Sequence, residues 1–386
     1  MKGNVLVIFE GGSPGSEVET RLANARKAIT LDNLEKFESL SGIERVVVST
    51  NYADLAEEAA RLGADVELNC DVDFHVGRRL KEIVAHHRPR SIIYMGGGAG
   101  ALLARDEMQR VVQCLASSSG IIVTNNFFSS DIIGLNPASA ILMEDEDLPA
   151  TDNGLAMILQ LKRGLALVRM EETTGTVFDV DTPADAMILG LHPDIGPRAR
   201  VELAHFNDRR PCLERAMEVL RTPMAGVGLF GRVNPLTVLH LNRNTQCRVR
   251  VLSEERGMKA LDITTGAGED SGRVRGRVRT LLGFLFEASG GPEGFFRALA
   301  EVCDAAFIDT RILFYHLGIA ASRADRFNSD LGRAGLVADP LVRAITGAAV
   351  VMSQHKPILL GGHSLVNGGI RILTDIVKKS GIPRVL

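Results

Sequence analysis

The chain has 386 residues, of which 45% are hydrophobic and 24% charged, and its net charge is −3. This composition is typical of folded proteins with a sizeable core, and it excludes disordered and fibrous chains. The length predicts two domains. Five cysteines without a C-x-x-C pair exclude a Cys-rich zinc module and a disulfide framework, and they favour a reducing cytoplasm.

Neither a membrane nor a nucleic acid is an expected partner. The first apolar run, Val5–Phe9, is too short for a signal peptide, and no run of 18 apolar residues occurs. The absence of Trp and the presence of only three Tyr leave few rings on which bases could stack. We therefore expect a cytoplasmic protein whose ligands are small molecules.

The small net charge conceals an asymmetry between the two halves. Residues 1–200 carry a net charge of −10, and residues 201–386 carry +7. The basic side chains are densest in Arg243–Arg279. Such a segment is typical of a pocket for phosphate or carboxylate groups. It is equally typical of a solvated face that complements the acidic half across a domain contact or in a homodimer, so both interpretations stay open.

The first half alternates short apolar runs with amphipathic stretches, a pattern that predicts repeated β-α units and a mostly parallel sheet covered by helices. Ligands of such sheets bind at the carboxyl ends of the strands. The predicted strands are Val5–Phe9, Arg45–Ser49, Ala64–Leu68, Ser91–Met95 and Gly120–Thr124, and the predicted helices are Ala28–Leu40, Asp54–Leu62, Gly77–His86 and Arg105–Leu115.

The amino-acid composition changes at His192–Arg200, where Pro, Gly and Arg are concentrated. This change predicts a domain boundary. We therefore divide the chain into an α/β domain of residues 1–192 and a mainly α-helical domain of residues 193–386. A strand is predicted at Cys247–Leu252 and a loop at Gly266–Gly272. The helices predicted in the second domain are Pro211–Leu220, Arg275–Ala288, Gly294–Asp304, Asp309–Leu317, Leu341–Val351 and Gly368–Lys379.

The loop after the first strand is rich in glycine and reads E-G-G-S-P-G-S from Glu10. Glycines let backbone N–H groups approach phosphate oxygens, and Lys27 further along supplies a positive charge. The spacing is not that of a Walker loop. A mobile surface loop is the alternative interpretation.

Several segments in order carry a family resemblance: VLVIFEGGS, RKAITLDNLEKF, IERVVVSTN, IIYMGGG and FDVDTPAD. Residues 1–192 resemble the nucleotidyltransferases of the glycosyltransferase-A fold. They are most similar to the molybdenum-cofactor guanylyltransferase-like and phospholactate guanylyltransferase-like enzymes. The resemblance implies a three-layer α/β/α nucleotide-binding domain that binds a nucleoside triphosphate and a small anionic acceptor.

The resemblance also implies roles for particular residues. The glycine loop and Lys27 would hold the nucleotide phosphates, and the segment after the second strand would hold the base. The turn that opens the helix near Gly77 would border the base or ribose. The residues concerned are Gly11, Gly12, Ser13, Lys27, Thr50, Asn51, Gly77 with His75 and Arg78, and the turn glycines Gly96 and Gly97.

Two aspartate positions hold a divalent cation in that family. Asp179 and Asp181 match the later one, and Mg²⁺ prefers such oxygen ligands. At the earlier position this chain has Gly97 instead, and the next carboxylate is Asp106. Either Asp71 or Asp73 replaces the missing ligand, or the domain binds a nucleotide without turning it over.

Two of these segments have other interpretations. The stretch GGGAGA, Gly96–Ala101, follows an apolar run and matches the dinucleotide-binding pattern G-x-G-x-x-A. However, Thr124 and Asn125 stand where that pattern needs an acidic residue. Asp181 is also suited to cap a helix that starts near Pro183.

The second half has polar residues in segments that are otherwise apolar enough to be buried. Asp309 and His316 are seven residues apart, and they would share one face of a continuous helix. Together with His363 they predict an alternative metal or acid–base site. The competing interpretation is that they are hydrogen-bonded core residues.

The sequence thus favours a Mg²⁺-dependent nucleotidyltransferase that acts on a small phosphorylated or carboxylated acceptor. One alternative is a nucleotide-binding or sensing protein with a degenerate site. Another is a metal-dependent enzyme centred on the second domain.

Overall fold

The computed structural model describes residues 3–69, 74–127, 129–256 and 278–379. The chain forms two compact units that do not coincide with a single cut at residue 192. Residues 14–22 and 180–195 belong to the second unit. The first unit comprises Met1–Ser13, Ala23–Asp179 and Gly196–Glu202, and the second comprises Pro14–Leu22, Val180–Ile195 and Leu203–Leu386.

The first unit is built on a seven-stranded sheet in the order β3-β2-β1-β4-β6-β5-β7. All neighbouring pairs are parallel except those of β6, which runs antiparallel to β4 and β5. The strands are β1 Asn4–Phe9, β2 Ile43–Thr50, β3 Asp65–Leu68, β4 Ser91–Gly96, β5 Ile121–Thr124, β6 Ile132–Asn136 and β7 Ala166–Arg169. The helices from Glu17 to Val177 are α1 Glu17–Phe37, α2 Ala53–Arg61, α3 Val76–His87, α4 Arg105–Ser117, α5 Leu155–Arg163 and α6 Thr174–Val177.

Helices cover both faces of this sheet. All six side chains of β1 are buried, and successive residues point to opposite faces. Val5 and Val7 pack with residues of α3 and α5, whereas Leu6 and Ile8 pack with residues of α1, α2 and α4. The three-layer α/β/α architecture expected from the sequence is confirmed.

Helix α1 begins at Glu17, eleven residues before the predicted start at Ala28. Ser16 and Glu19 pair at the start of this helix: the Ser16 hydroxyl donates to a Glu19 carboxylate oxygen at 2.7 Å and accepts from the Glu19 N–H at 3.4 Å. The predicted start was therefore wrong, and Lys27 lies within the helix instead of in the glycine loop.

The second unit contains the predicted helices and also a four-stranded parallel sheet in the order β11-β10-β8-β9. The strands are β8 Gly226–Gly231, β9 Arg248–Ser253, β10 Ala305–Asp309 and β11 Ile358–Gly361. The helices from Pro183 onwards are α7 Pro183–Leu189, α9 Arg210–Arg221, α10 Pro235–Asn244, α11 Leu281–Ala288, α12 Pro292–Val302, α13 Thr310–His316, α14 Arg323–Asp330, α15 Pro340–Met352 and α16 Ile370–Lys379, together with α8 Pro197–Leu203, which belongs to the first unit except for its last residue.

The predicted strand near Cys247 corresponds to β9, but β8, β10 and β11 were not predicted. These strands are short, fully buried and without alternation, so their periodicity does not distinguish them from buried helix. The predicted loop at residues 266–272 and the start of the helix predicted at Arg275 lie outside the described residues, as does much of the basic segment. Among the described helices, none has the length and apolar character needed to cross a bilayer.

Candidate functional site

The glycine loop of the first unit follows β1 and is fastened to the end of β2. The Asn51 side chain makes two hydrogen bonds with Gly12: its amide donates to the Gly12 carbonyl, and its oxygen accepts from the Gly12 N–H, both at 2.9 Å. Gly11 lies so close that a Cβ there would be 2.7 Å from the Asn51 oxygen. Asn51 therefore holds the loop in one conformation at the carboxyl edge of the sheet.

Thr50 and Lys27 lie beside this loop, and each is engaged within the protein. Thr50 is buried, and its hydroxyl accepts from the Tyr52 N–H at 3.0 Å. The Lys27 ammonium lies 2.5 Å from a carboxylate oxygen of Asp54 and 5.2 Å from the centre of the Tyr52 ring. Burial raises the pKa of Asp54, but the hydrogen bond from Lys27 and a backbone N–H hold it below the ordinary value. A triphosphate would have to compete with Asp54 for this lysine.

The remaining glycines assigned to the nucleotide have other partners. The Gly96 N–H donates to the Asp131 carbonyl, and the Gly97 N–H donates to the Phe9 carbonyl. Gly77 donates to the Pro149 carbonyl, and a Cβ on it would lie 2.8 Å from Leu148. These three residues border the site, but their amides are used in backbone packing.

His75 and Arg78 have a local structural role at the start of α3. The His75 ring accepts from the Arg78 N–H at 3.2 Å and so caps the helix. The aspartates suggested as substitute ligands, Asp71 and Asp73, lie outside the described residues. Asp106 lies in the first turn of α4 and pairs with Arg110.

A buried carboxylate that the sequence analysis did not identify occupies the space beside Gly97. Glu10 is 2% exposed, and its carboxylate oxygen lies 2.2 Å from the point where a Gly97 Cβ would be. The Arg26 Nε binds both Glu10 oxygens, at 3.0 and 3.3 Å. The end of β1 thus supplies a carboxylate where the resemblance places one at the end of β4, and an arginine neutralises it.

Asp179 lies at the same edge of the first unit, because its backbone forms an antiparallel bridge with Ala99 in the turn after β4. Asp181 belongs to the second unit, where its carboxylate and the His363 ring offer ligand atoms within 4.8 Å of each other. The helix-cap interpretation of Asp181 was wrong. Thr182 caps α7, since its hydroxyl accepts from the Asp185 N–H.

The dinucleotide interpretation of Gly96–Ala101 also does not hold. That fingerprint requires a helix to start within the glycine-rich turn, so that the helix N-terminus faces the pyrophosphate. Here α4 begins only at Arg105. The Lys36 ammonium donates to the carbonyls of Gly100, Ala101 and Leu103 and holds the turn in a non-helical path.

The structure does not bring Asp309, His316 and His363 together as one ligand set within the described part of the chain. Asp309 ends β10 and binds Arg232 through both carboxylate oxygens, at 2.6 and 3.1 Å. His316 is fully buried; its Nδ1 accepts from the Thr280 N–H at 2.9 Å, and its Nε2 lies 3.2 Å from Glu287. The core interpretation therefore fits His316.

Asp330 of the second unit gives a pH-dependent prediction. Burial raises the pKa of Asp330 to about 6, in spite of its ion pair with Arg311. A carboxyl whose pKa is raised by folding contributes stability that is present below its unfolded pKa of about 3.9 and is lost as the pH rises towards 6. We expect Asp330→Asn to reduce proton uptake on folding by about one proton between pH ~4 and ~6. Urea unfolding across this range measures the slope, and an unchanged slope would contradict the assignment.

Comparison with known proteins gives matches in structure only. No protein-family model matches the sequence, and no curated protein does. A CMP:2-keto-3-deoxy-manno-octonic acid synthetase complexed with CTP is 12% identical, with a TM-score of 0.37; the match covers 47% of this chain and 94% of that one. A cytidylyltransferase from Leptospira borgpetersenii is 15% identical, with a TM-score of 0.38 and coverage of 54% and 94%.

A nucleotidyl transferase from a Methanothermobacter species is 13% identical, with a TM-score of 0.37 and coverage of 53% and 97%. These three structures are described as a synthetase, a cytidylyltransferase and a nucleotidyl transferase. At these identities the likeness concerns the fold alone. The narrower resemblance to guanylyltransferase-like enzymes stays a prediction.

Proposed function

We propose that the protein is a nucleotidyltransferase that transfers a nucleoside monophosphate from a nucleoside triphosphate to a small phosphorylated or carboxylated acceptor. One observation carries the proposal: Asp179 and the glycine loop fastened by Asn51 lie at the carboxyl ends of β4 and β1, which are parallel neighbours in one sheet. This edge is where α/β sheets bind their ligands. A cytoplasmic location and a homodimer remain predictions.

The chemistry requires positioning and charge neutralisation more than covalent catalysis. An acceptor oxygen would attack the α-phosphorus in line, the bond to the β-phosphate oxygen would break, and pyrophosphate would leave. The loop of Gly11, Gly12 and Ser13 would orient the phosphates, and Lys27 would exchange Asp54 for a phosphate oxygen. Asp179 and Asp181 are hard oxygen donors that fit Mg²⁺, which would supply further charge neutralisation.

A second candidate is nucleotide binding without transfer. The Glu10–Arg26 pair favours it, because the only carboxylate beside Gly97 in the described part of the chain is already bound to an arginine. A thermal-shift screen of nucleoside triphosphates with and without Mg²⁺ separates the two. A shift that requires Mg²⁺ favours transfer, and a shift without Mg²⁺ favours binding alone.

The direct test is pyrophosphate release from a panel of triphosphates and phosphorylated acceptors. We expect Asp179→Asn to lower Mg²⁺-dependent turnover about 100-fold, since a cation ligand contributes several kcal/mol. The matched control is Asp106→Asn, a carboxylate in the same unit that pairs with Arg110 on the surface of α4. Equal turnover in the two variants would contradict the role of Asp179.

The loop contact gives an independent prediction. Asn51→Ala removes both hydrogen bonds to Gly12, so the loop loses its fixed conformation, and we expect triphosphate affinity to fall roughly tenfold. Titration calorimetry measures the change. Gln109→Ala is the control, because its amide binds the Ser41 carbonyl before β2 begins, at the opposite edge of the sheet. Unchanged affinity in Asn51→Ala would place the nucleotide elsewhere.

A further inference from the structure

The parallel sheet of the second unit has a topological switch point, the place where open α/β sheets form a crevice at the carboxyl ends of their strands. The chain starts at β8, adds β9 on one side and then places β10 and β11 on the other. Connections that leave β8 and β10 therefore diverge, and this switch point is where open α/β sheets bind ligands. The two strands end at Gly231 and Asp309.

Charged side chains with fixed positions line this switch point. Gly231 has a φ of +122°, and a Cβ on it would lie 2.5 Å from the Asp309 Cβ, so only glycine allows the two strand ends to approach. Arg232 then donates to both carboxylate oxygens of Asp309, from its Nε and from one terminal nitrogen. Asn367 donates to the carbonyls of Arg232 and His363, which ties the loops after β8 and β11 together.

A second buried ion pair lies next to the first. Arg311, two residues after Asp309, binds both carboxylate oxygens of Asp330, at 3.3 and 2.7 Å. Both side chains are buried. Buried ion pairs are costly to form, because both charges leave water.

Arg326 of α14 has a buried N–H group that neither of the two ion pairs uses. Its Nε is buried without a hydrogen-bond partner among the described residues. Burial lowers the pKa of Arg326 and the Arg311 guanidinium lowers it further, whereas Tyr315 and Asp330 raise it. A buried N–H normally donates to an oxygen, because an unpaired buried donor is unfavourable.

We propose that this crevice binds the phosphate group of a small molecule, with Arg326 as the principal contact. Arg326 lies one turn before Asp330 on α14, and Asp330 is already paired with Arg311, so a bound anion would supply a counter-charge shared by the two arginines and satisfy the Arg326 Nε. Arg232 and Arg311 would contribute the N–H groups that their carboxylates do not use, since a guanidinium has five donors. The proposal concerns the second unit alone and does not depend on nucleotidyl transfer.

The test uses inorganic phosphate and the full chain. We expect phosphate binding, followed by calorimetry, to weaken roughly tenfold or more in Arg326→Gln. The control is Arg323→Gln, which removes the same charge one turn earlier on α14, where Arg323 is exposed and pairs with Glu19. Equal affinity in both variants would overturn the proposal. Binding should persist in Asn51→Ala, which separates this site from the glycine loop of the first unit.

A second measurement avoids any dependence on the folding of the variant. The wild-type chain is treated with phenylglyoxal, which modifies arginines, and the modified positions are mapped by mass spectrometry. We expect phosphate to protect Arg326 and to leave Arg323 unprotected. Protection of neither residue, or of both to the same degree, would show that the anion does not bind at this crevice.

Discussion

Replacement of Gly97 by aspartate is expected to destabilise the first unit by about 3 kcal/mol instead of supplying a missing cation ligand. A Cβ at this position would lie 2.2 Å from a Glu10 oxygen, 2.6 Å from the Glu10 Cβ and 2.8 Å from the Thr30 hydroxyl. Glu10 and Thr30 are both buried, so neither can move aside without cost. A second carboxylate beside Glu10 adds like-charge repulsion. Urea unfolding followed by far-UV circular dichroism measures the loss.

Two further variants separate the steric cause of this loss of stability from the electrostatic cause. Gly97→Ala retains the steric conflict without the charge, and we expect it to give the packing part of the loss, about 1–3 kcal/mol. The double variant Glu10→Gly/Gly97→Asp moves the carboxylate from β1 to β4 and should recover at least half of the stability. A single Gly97→Asp variant as stable as the wild type would contradict the close approach of these two strand ends.

The alternation of strands and helices up to β5 could be predicted because these elements are flanked by clear turn signals, whereas β6, α5 and β7 were not predicted. The starts of α2, α3 and α4 lie within one residue of the predicted positions. The start of α1 was placed too late because the glycine-rich stretch before it reads as loop. The capping pair Ser16 and Glu19 was the available signal.

The site could be predicted only in its local parts. The glycine loop and Asp179 belong to contiguous motifs, so the sequence points to them directly. The contact between Glu10 and Gly97 joins residues 87 positions apart, and it exists because β1 pairs with β4. Strand order is a property of the tertiary structure, so no local pattern reveals that the carboxylate after β1 fills the space at the end of β4.

The grouping of Asp309 with His316 failed for a different reason. Seven-residue spacing places two side chains on one helix face only if both lie in the helix. Asp309 ends β10 and caps α13, which starts at Thr310. Its partner is Arg232, which follows β8. Because β8 was not predicted, the pairing of Asp309 with Arg232 could not be predicted either. The same omission concealed the switch point of the second sheet.

Loss of the Asp309 carboxylate is expected to have the other large effect. Asp309 is fully buried and binds Arg232 through both oxygens; it also accepts from the Arg311 N–H at 3.2 Å. Asp309→Asn leaves the mostly buried Arg232 guanidinium without a counter-charge. Breaking a buried pair in this way costs about 3–5 kcal/mol. The control is Glu214→Gln, which breaks an exposed pair with Arg210 and should cost at most about 0.5 kcal/mol.

The pH dependence of the stability difference between the wild type and Asp309→Asn identifies the cause of that difference. Burial raises the pKa of the Asp309 carboxyl, but Arg232, His363 and Arg311 together hold it below its ordinary value. A carboxyl whose pKa is lowered by folding contributes stability that is present above its unfolded pKa of about 3.9 and is lost as the pH falls through the folded value. The difference between wild type and Asp309→Asn should therefore be constant above pH ~5 and shrink below pH ~4. A difference that does not depend on pH down to the acid transition would mean that the shape of the side chain, and not its charge, stabilises the end of β10.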